Sequence, residues 1–230
     1  MPTPELGTVL VTGGASGLGA AVVAAVAERG GRPVVLDVRA PAAEVDHELV
    51  DLSDTRAAEE AVRRVVGRAG GLDAVVTAAG TDACGRLVDV PREDWDRVVL
   101  VNLLGTAAVV RAAVPALEAS GGTVVTVAST LGLRALSDAT AYCASKFGVV
   151  GFTRALQVEL AGKVGVTLLV PGGMHTAFFD GRTEQYKPPA DAQLNQPSDV
   201  AAAVVFALGQ PPGCEVRELI ITPSTEPSWP

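Results

Sequence analysis

Basic charge, cysteine pairs, clusters of metal ligands and unbroken apolar runs are all scarce in this sequence, and each shortage removes a class of function. Eighteen Lys and Arg face 26 Asp and Glu, a formal net charge of −8. General affinity for nucleic acid or an anionic membrane surface needs dense positive charge, so neither partner is expected. The three cysteines, Cys84, Cys143 and Cys214, are odd in number, far apart and free of any C-x-x-C pair. That pattern suits reduced thiols in a cytoplasmic protein better than a disulfide framework or a zinc site. The two histidines, His47 and His175, are distant in sequence and read as structural or surface side chains, so no metal site is expected. Every apolar stretch meets a charge or turn residue before it reaches the length of a bilayer span, and Met1–Gly7 has no basic segment leading into an apolar core. Neither a membrane span nor a secretory signal is therefore expected.

What is present is 230 residues, 48% of them apolar, enough for one domain with a substantial core. Short β-branched runs alternate with Ala-rich, periodically apolar stretches. The predicted strands are Thr8–Thr12, Pro33–Asp37, His47–Asp51, Asp73–Ala78, Thr123–Ser129, Val166–Val170 and a last one near Val216–Thr222. The predicted helices are Gly17–Arg29, Asp54–Gly67, about Asp94 to Ala119, about Thr140 to Gly162, and Ser198–Leu208. Strands of almost unbroken apolar content, such as the run through Val164 to Val170, suit a sheet buried on both faces. The alternation therefore predicts an α/β fold, doubly wound and Rossmann-like: a seven-stranded parallel sheet flanked by helices on both faces, with its ligand beyond the carboxyl ends of the strands. The expectation is a single domain over residues 1–230. Gly172–Pro197 is its one long irregular stretch, and a loop of that length is usually a lid or binding segment.

The first strand runs into Thr12-Gly13-Gly14-Ala15-Ser16-Gly17-Leu18-Gly19, and a helical pattern follows at once. Gly13 permits a tight turn, Gly17 lets backbone approach a diphosphate, and Gly19 allows the helix to pack closely. The N–H groups opening that helix can then face phosphate charge. Asp37 closes the next strand, where a carboxylate accepts hydrogen bonds from ribose hydroxyls and repels a 2′-phosphate; NAD is favoured over NADP. Arg39, two residues on, can either stack on adenine or reach a 2′-phosphate.

The spacing T-G-x-x-x-G-x-G resembles the cofactor loop of the short-chain dehydrogenase/reductase family, and the resemblance extends over most of the chain. It implies cofactor contacts from Gly13, Ser16, Gly17, Leu18 and Gly19. Asp51-Leu52 resembles the family's adenine-contacting pair; taken alone, Asp51 can instead cap the turn before Ser53-Asp54. Thr77-Ala78-Ala79-Gly80 resembles the family's N-N-A-G segment with Thr and Ala in place of the two Asn, which leaves backbone roles for Ala79 and Gly80. Pro171-Gly172 resembles the P-G turn beside the nicotinamide, where the resemblance implies that Met174 offers backbone and Thr176 its hydroxyl.

Tyr142 and Lys146 form Y-x-x-x-K near the start of a predicted helix, and residues four apart share a helical face. A free phenol ionises near pH 10. Lowering that by roughly three units takes about 4 kcal/mol of preferential phenolate stabilisation, which a nearby ammonium and bound NAD⁺ can supply in a partly desolvated cleft. By resemblance Tyr142 is the general acid in carbonyl reduction and the general base in alcohol oxidation, Lys146 also holds the cofactor's ribose, and Ser129, thirteen positions before Tyr142, steadies the substrate oxygen. Asn102 completes the set: the family reading gives it a local bend and a water linking Lys146 to solvent, and the plain reading a buried amide tying helix to strand.

Substrate choice is expected from Leu131–Ser137, from the segment following Cys84 and from Gly172–Pro197, with Phe178, Phe179 and Tyr186 closing an apolar wall. Arg134, Arg182 or Lys187 can pair with an anionic substrate group. The partners implied are a small carbonyl or alcohol substrate and further copies of the chain, as a homodimer or homotetramer. A redox enzyme is the leading reading. A catalytically weak protein that senses nicotinamide redox state is the alternative, motivated by the altered Thr77-Ala78 pair. A sugar epimerase or dehydratase would need a longer C-terminal substrate domain and a different glycine spacing.

Overall fold

The computed structural model describes residues 6–226 and Trp229. The expectation for Met1–Gly7 thus lies, over its first five residues, outside the described residues. Seven strands form one parallel sheet in the order β3-β2-β1-β4-β5-β6-β7. They are β1 Thr8–Thr12, β2 Arg32–Asp37, β3 Asp46–Leu49, β4 Ala74–Thr77, β5 Thr123–Val127, β6 Gly165–Pro171 and β7 Glu218–Ile221. The helices are α1 Gly17–Glu28, α2 Thr55–Ala69, α3 Arg92–Val99, α4 Thr106–Ser120, α5 Thr140–Glu159 and α6 Pro197–Leu208.

Side chains alternate across each strand, so neighbours in sequence reach opposite cores. Leu10, Leu36 and Val124 pack against Ala61, Val62 and Val65 of α2 and Val109, Ala113 and Leu117 of α4. Val9, Val11 and Val35 pack the other way, against Val22 and Val26 of α1 and Val200 and Val204 of α6. Local chemistry marks the helix ends. Asp54 caps α2 by accepting from the Arg56 and Ala57 amides, while Gly70 and Gly121 end α2 and α4 in the left-handed conformation.

Three expectations need correction. The predicted single helix from Asp94 to Ala119 is interrupted by a π-helical turn at Leu100–Gly105, which separates α3 from α4 and carries Asn102. Widened turns of this kind are frequent at functional sites. The whole segment Arg92–Ser120 is also long and apolar enough to cross a bilayer, with a mean hydropathy of 1.8 over its most apolar window, contrary to the expectation that no stretch reaches that length. Half of that window is buried inside the domain, as in a core helix. Lastly, β5 stops at Val127, so Ser129 does not belong to the strand; it caps the short 3₁₀ turn Thr130–Gly132 by accepting from the Leu131 amide at 3.1 Å.

Replacing Leu10, which has no exposed surface, by Ala is expected to cost about 3 kcal/mol of stability. The measurement is urea unfolding, with a lowered midpoint at unchanged slope.

Candidate active site

The strand order reverses between β1 and β4, so the connections leaving them part and open a crevice at the carboxyl edge of the sheet. A cleft of about 1290 Å³ lies there, lined from Gly13 and Asp37 at one end to Ser129, Tyr142 and Phe178 at the other. Its glycine loop is sterically committed. Gly13 sits at φ +69°, and a β-carbon on it would fall 2.7 Å from Ala79 Cα. A β-carbon on Gly19 would lie 2.1 Å from the Gly13 carbonyl oxygen, so only glycine lets α1 start so close to the loop. The Ala79 amide donates to Thr12 Oγ1 at 3.1 Å, joining the ends of β1 and β4. Ser16 is the N-cap of α1 yet its side chain caps no amide of that helix, so the first-turn N–H groups are left for an anion at the cleft. This cradle fits a dinucleotide diphosphate.

Asp37 is buried, and its carboxylate accepts from the Ala15 amide at 3.0 Å and the Arg39 amide at 3.0 Å. It therefore fixes the loop as well as facing the cleft. Arg39 reaches back across the loop, its guanidinium donating to Ser16 Oγ at 3.4 Å. Asp51 accepts from the Ser53 amide at 2.9 Å and pairs with Arg97 at 3.0 Å; the turn-capping alternative thus describes one of its oxygens. Asp51, Leu52, Ala79, Gly80, Pro171, Gly172, Met174 and Thr176 all line the cleft. Pro171 closes β6 instead of following it, and the Thr176 hydroxyl accepts from the Phe178 amide at 3.3 Å, opening the turn Ala177–Phe179. The hydroxyl of Thr77, one of the two departures from N-N-A-G, is buried without a hydrogen-bond partner.

At the other end the structure brings Ser129, Tyr142 and Lys146 together in the cleft wall, with Asn102 behind it, outside the lining. Lys146 is 4% exposed; its Nζ donates to the Val127 carbonyl at 2.9 Å and stands 5.6 Å from the centre of the Tyr142 ring. Ser129 hydrogen-bonds the Tyr142 phenol. The Asn102 amide accepts from the Thr81 N–H at 2.8 Å and donates to the Thr81 carbonyl at 2.9 Å and to Ser145 Oγ at 3.0 Å. Its side chain thereby ties the π-helical turn to the segment after β4 and to α5, where a tie from helix to strand was the plain expectation. Gly80 sits against both groups: a β-carbon there would be 3.6 Å from Asn102 Oδ1 and 3.8 Å from Lys146 Nζ.

In the chain alone, without the NAD⁺ charge on which the expected acidification draws, burial acts in the other direction. Burial pushes the Tyr142 phenol up to about 12; the Ser129 hydrogen bond opposes the rise, the Asp82 carboxylate adds to it and the Arg182 charge opposes it. Burial pulls the Lys146 amine down to about 8, against an upward pull from Asp82. Both groups are driven toward their neutral forms because the protein alone offers little to solvate a charge there.

The substrate end of the cleft is walled by Leu131, Arg134, Leu136, Phe178, Phe179 and Tyr186. The segment following Cys84 does not line it; the residues before it do, through Asp82 and Cys84. Of the cations offered to an anionic substrate, Arg182 is engaged by Asp82 at 2.6 Å and Lys187 by Glu184 at 3.0 Å. Asp82, Ser145 and Asp138 were not singled out in the sequence. Asp138 is the one described non-glycine residue at positive φ, +59°. The C-terminal residues also reach the cleft: Glu226 accepts from the Gly173 amide at 3.1 Å, and the Thr225 hydroxyl donates to Gln193 Oε1 at 3.0 Å. Among the described residues no group of three His, Cys, Asp or Glu is placed to hold a metal.

A doubly wound sheet with such a cradle defines a dinucleotide-binding oxidoreductase fold. Residues 7–187 match the short chain dehydrogenase family, and the chain belongs to it. It is 32% identical over 226 residues to an uncharacterized oxidoreductase of Staphylococcus aureus, covering 93% of this chain and 96% of that protein. Among solved structures it is similar to levodione reductase, at 26% identity and TM-score 0.84 over 95% of this chain and 96% of that one. It is also similar to an alcohol dehydrogenase from the archaeon Thermococcus sibiricus complexed with 5-hydroxy-NADP, at 25% identity and TM-score 0.82 over 93% of this chain and 94% of that one. The protein is thus an oxidoreductase of a family that uses a nicotinamide cofactor.

Because a Gly19→Ala side chain collides with the Gly13 carbonyl, this variant is expected to weaken NADH binding at least tenfold, about 1.4 kcal/mol, while far-UV circular dichroism stays native. Titration of NADH fluorescence checks it, and wild-type affinity would refute the cradle.

Proposed function

We propose that this protein transfers hydride between NAD(H) and a secondary alcohol or ketone of a small molecule, with Tyr142 as general acid and base. The observation that carries the reading is the convergence of the Tyr142 phenol, the Ser129 hydroxyl and the Lys146 amine at one end of a cleft whose other end is the glycine cradle. When bound, the cofactor supplies or takes the hydride and, when oxidised, brings a positive charge close to the phenol.

The chain's own residues do the rest. With its proton held up to about 12, Tyr142 is protonated at neutral pH, the form needed to give a proton to a carbonyl oxygen as it is reduced. Ser129 lies within hydrogen-bonding reach of the same place and steadies the oxygen as negative charge grows on it. Lys146, held by the Val127 carbonyl, is placed to hold ribose hydroxyls and, while protonated, to favour the phenolate that alcohol oxidation requires. Phe178, 5.8 Å from the Tyr142 ring, keeps water from the reacting face. NAD is preferred over NADP because the Asp37 carboxylate faces the cleft where a 2′-phosphate would be, and like charges there repel. The reading includes self-association through the helices bearing Asn102 and Tyr142, supported by Leu104 and Phe147, which stay nearly half exposed.

A panel of secondary alcohols and ketones, levodione among them, assayed with NAD(H) tests the reading. Tyr142→Phe is expected to lower turnover at least a thousandfold, within the range attributed to a positioned proton donor of about 10²–10⁴, with NADH binding unchanged. Retained turnover in that variant, or no turnover of any panel member by the wild type despite tight NADH binding, would defeat it. In the same assay the KM for NADPH should exceed that for NADH by roughly tenfold or more; equal values would remove Asp37 as the selector.

A further inference from the structure

Arg182 and Asp82 stand 100 positions apart in sequence, one in the long segment after β6 and the other in the connection after β4, and their side chains meet at 2.6 Å. With exposures of 18% and 8%, both side chains are mostly buried, whereas every other ion pair among the described residues keeps at least one partner more exposed than either. The guanidinium is stacked on two rings, 5.0 Å from the centre of Phe178 and 4.6 Å from that of Phe179, and Phe178 in turn rests on Tyr142. Its Nη1 donates to the Tyr186 carbonyl at 3.3 Å, and the Tyr186 hydroxyl donates to Asp138 at 3.4 Å. On the far side, Asp82 accepts from the Ala83 amide at 2.8 Å and the Cys84 thiol at 3.2 Å. Residues 178–186 are thus fastened to the opposite wall of the cleft mainly through one ion pair.

We propose that this pair is the latch seating the 172–197 segment over the active site, and that Arg182 is a positioning residue which masks the Asp82 carboxylate from the Tyr142 phenol. The inference rests on Tyr142 being the general acid and base. With the latch closed, the Asp82 charge is compensated beside the phenol; with it open, the carboxylate stands alone and phenolate formation becomes harder. The other groups facing the phenol are Lys146 beneath its ring, Cys143 next in the helix and the Ser129 hydroxyl, while Asp138 faces Cys84. The latch also commits Arg182 to Asp82 and so removes it as a receptor for an anionic substrate group.

The test compares wild type, Arg182→Met, Asp82→Asn, the double variant and Arg182→Lys, all full length. First, kcat/KM for oxidation of an alcohol from the panel is followed against pH. Oxidation needs phenolate, so the rate climbs with pH. Arg182→Met is expected to displace the climb by about one pH unit to the alkaline side, Asp82→Asn to the acid side, and the double variant to return it near wild type. A purely structural role would lower kcat/KM equally at every pH. Second, with NADH present, chymotryptic cleavage after Phe178, Phe179 or Tyr186 is timed. Each single charge removal should speed it roughly tenfold or more, the double variant no further, and Arg182→Lys should recover part of both losses. An undisplaced profile, displacement of both single variants in one direction, or unchanged cleavage overturns the latch. Should Tyr142→Phe keep its turnover, the acid–base reading fails on its own account, and the cleavage result alone decides the latch.

Discussion

Because α1 and α6 cover one face of the sheet and α2 and α4 the other, polar side chains inside the strands, such as Thr126 and Thr167, spend their hydrogen bonds on neighbouring protein groups, and those free to face a ligand gather where the strands end. The opposite departures of the chain after β1 and β4 turn one of those edges into a crevice. Every functional feature described above depends on that edge. The cradle is pressed against the end of β4 at Ala79, the Lys146 amine hangs from the last carbonyl of β5, and the long segment that closes the substrate end leaves from β6.

Within that edge, burial disfavours the charged forms of the groups placed to act. The phenol and the amine are both buried, and both are pushed toward their uncharged states. The π-helical turn at Asn102 belongs to the same economy: widening the helix there turns an amide inward to bind Thr81 and Ser145, and so sets the backbone beside Lys146 without adding a charge.

Much of this was legible in the residues. Strong alternation of β-branched and helical patterns gave β1 to the residue and the other strands to within a few positions, because a sheet sealed on both faces leaves its apolar runs nearly unbroken. Glycines at fixed offsets gave the cradle, since no other residue tolerates a neighbour 2.1 Å from its β-carbon position. What escaped was of two kinds. Departures from α-helical pitch leave no mark on a 3.6-residue pattern, so periodicity read Leu100–Gly105 as continuous helix, and only the family resemblance pointed to a local bend at Asn102. Pairings between distant segments have no local period at all, so Arg182 was offered to a substrate when Asp82 already held it. Asp82 had one available signal, its place two residues beyond Gly80 at the carboxyl end of a strand. The acidified phenol expected beside an ammonium and bound NAD⁺ concerns the cofactor-bound site; in the chain alone burial of Tyr142 works the other way.

The contacts of Thr225 and Glu226 with Gln193 and Gly173 place the end of the described chain on the rim of the cleft. A label placed on Thr225 or Gln193 would therefore stand at the doorway through which reactants pass. Lys163, exposed in the turn just ahead of β6 and so at the amino edge of the sheet, is the safer choice for immobilising or labelling the protein.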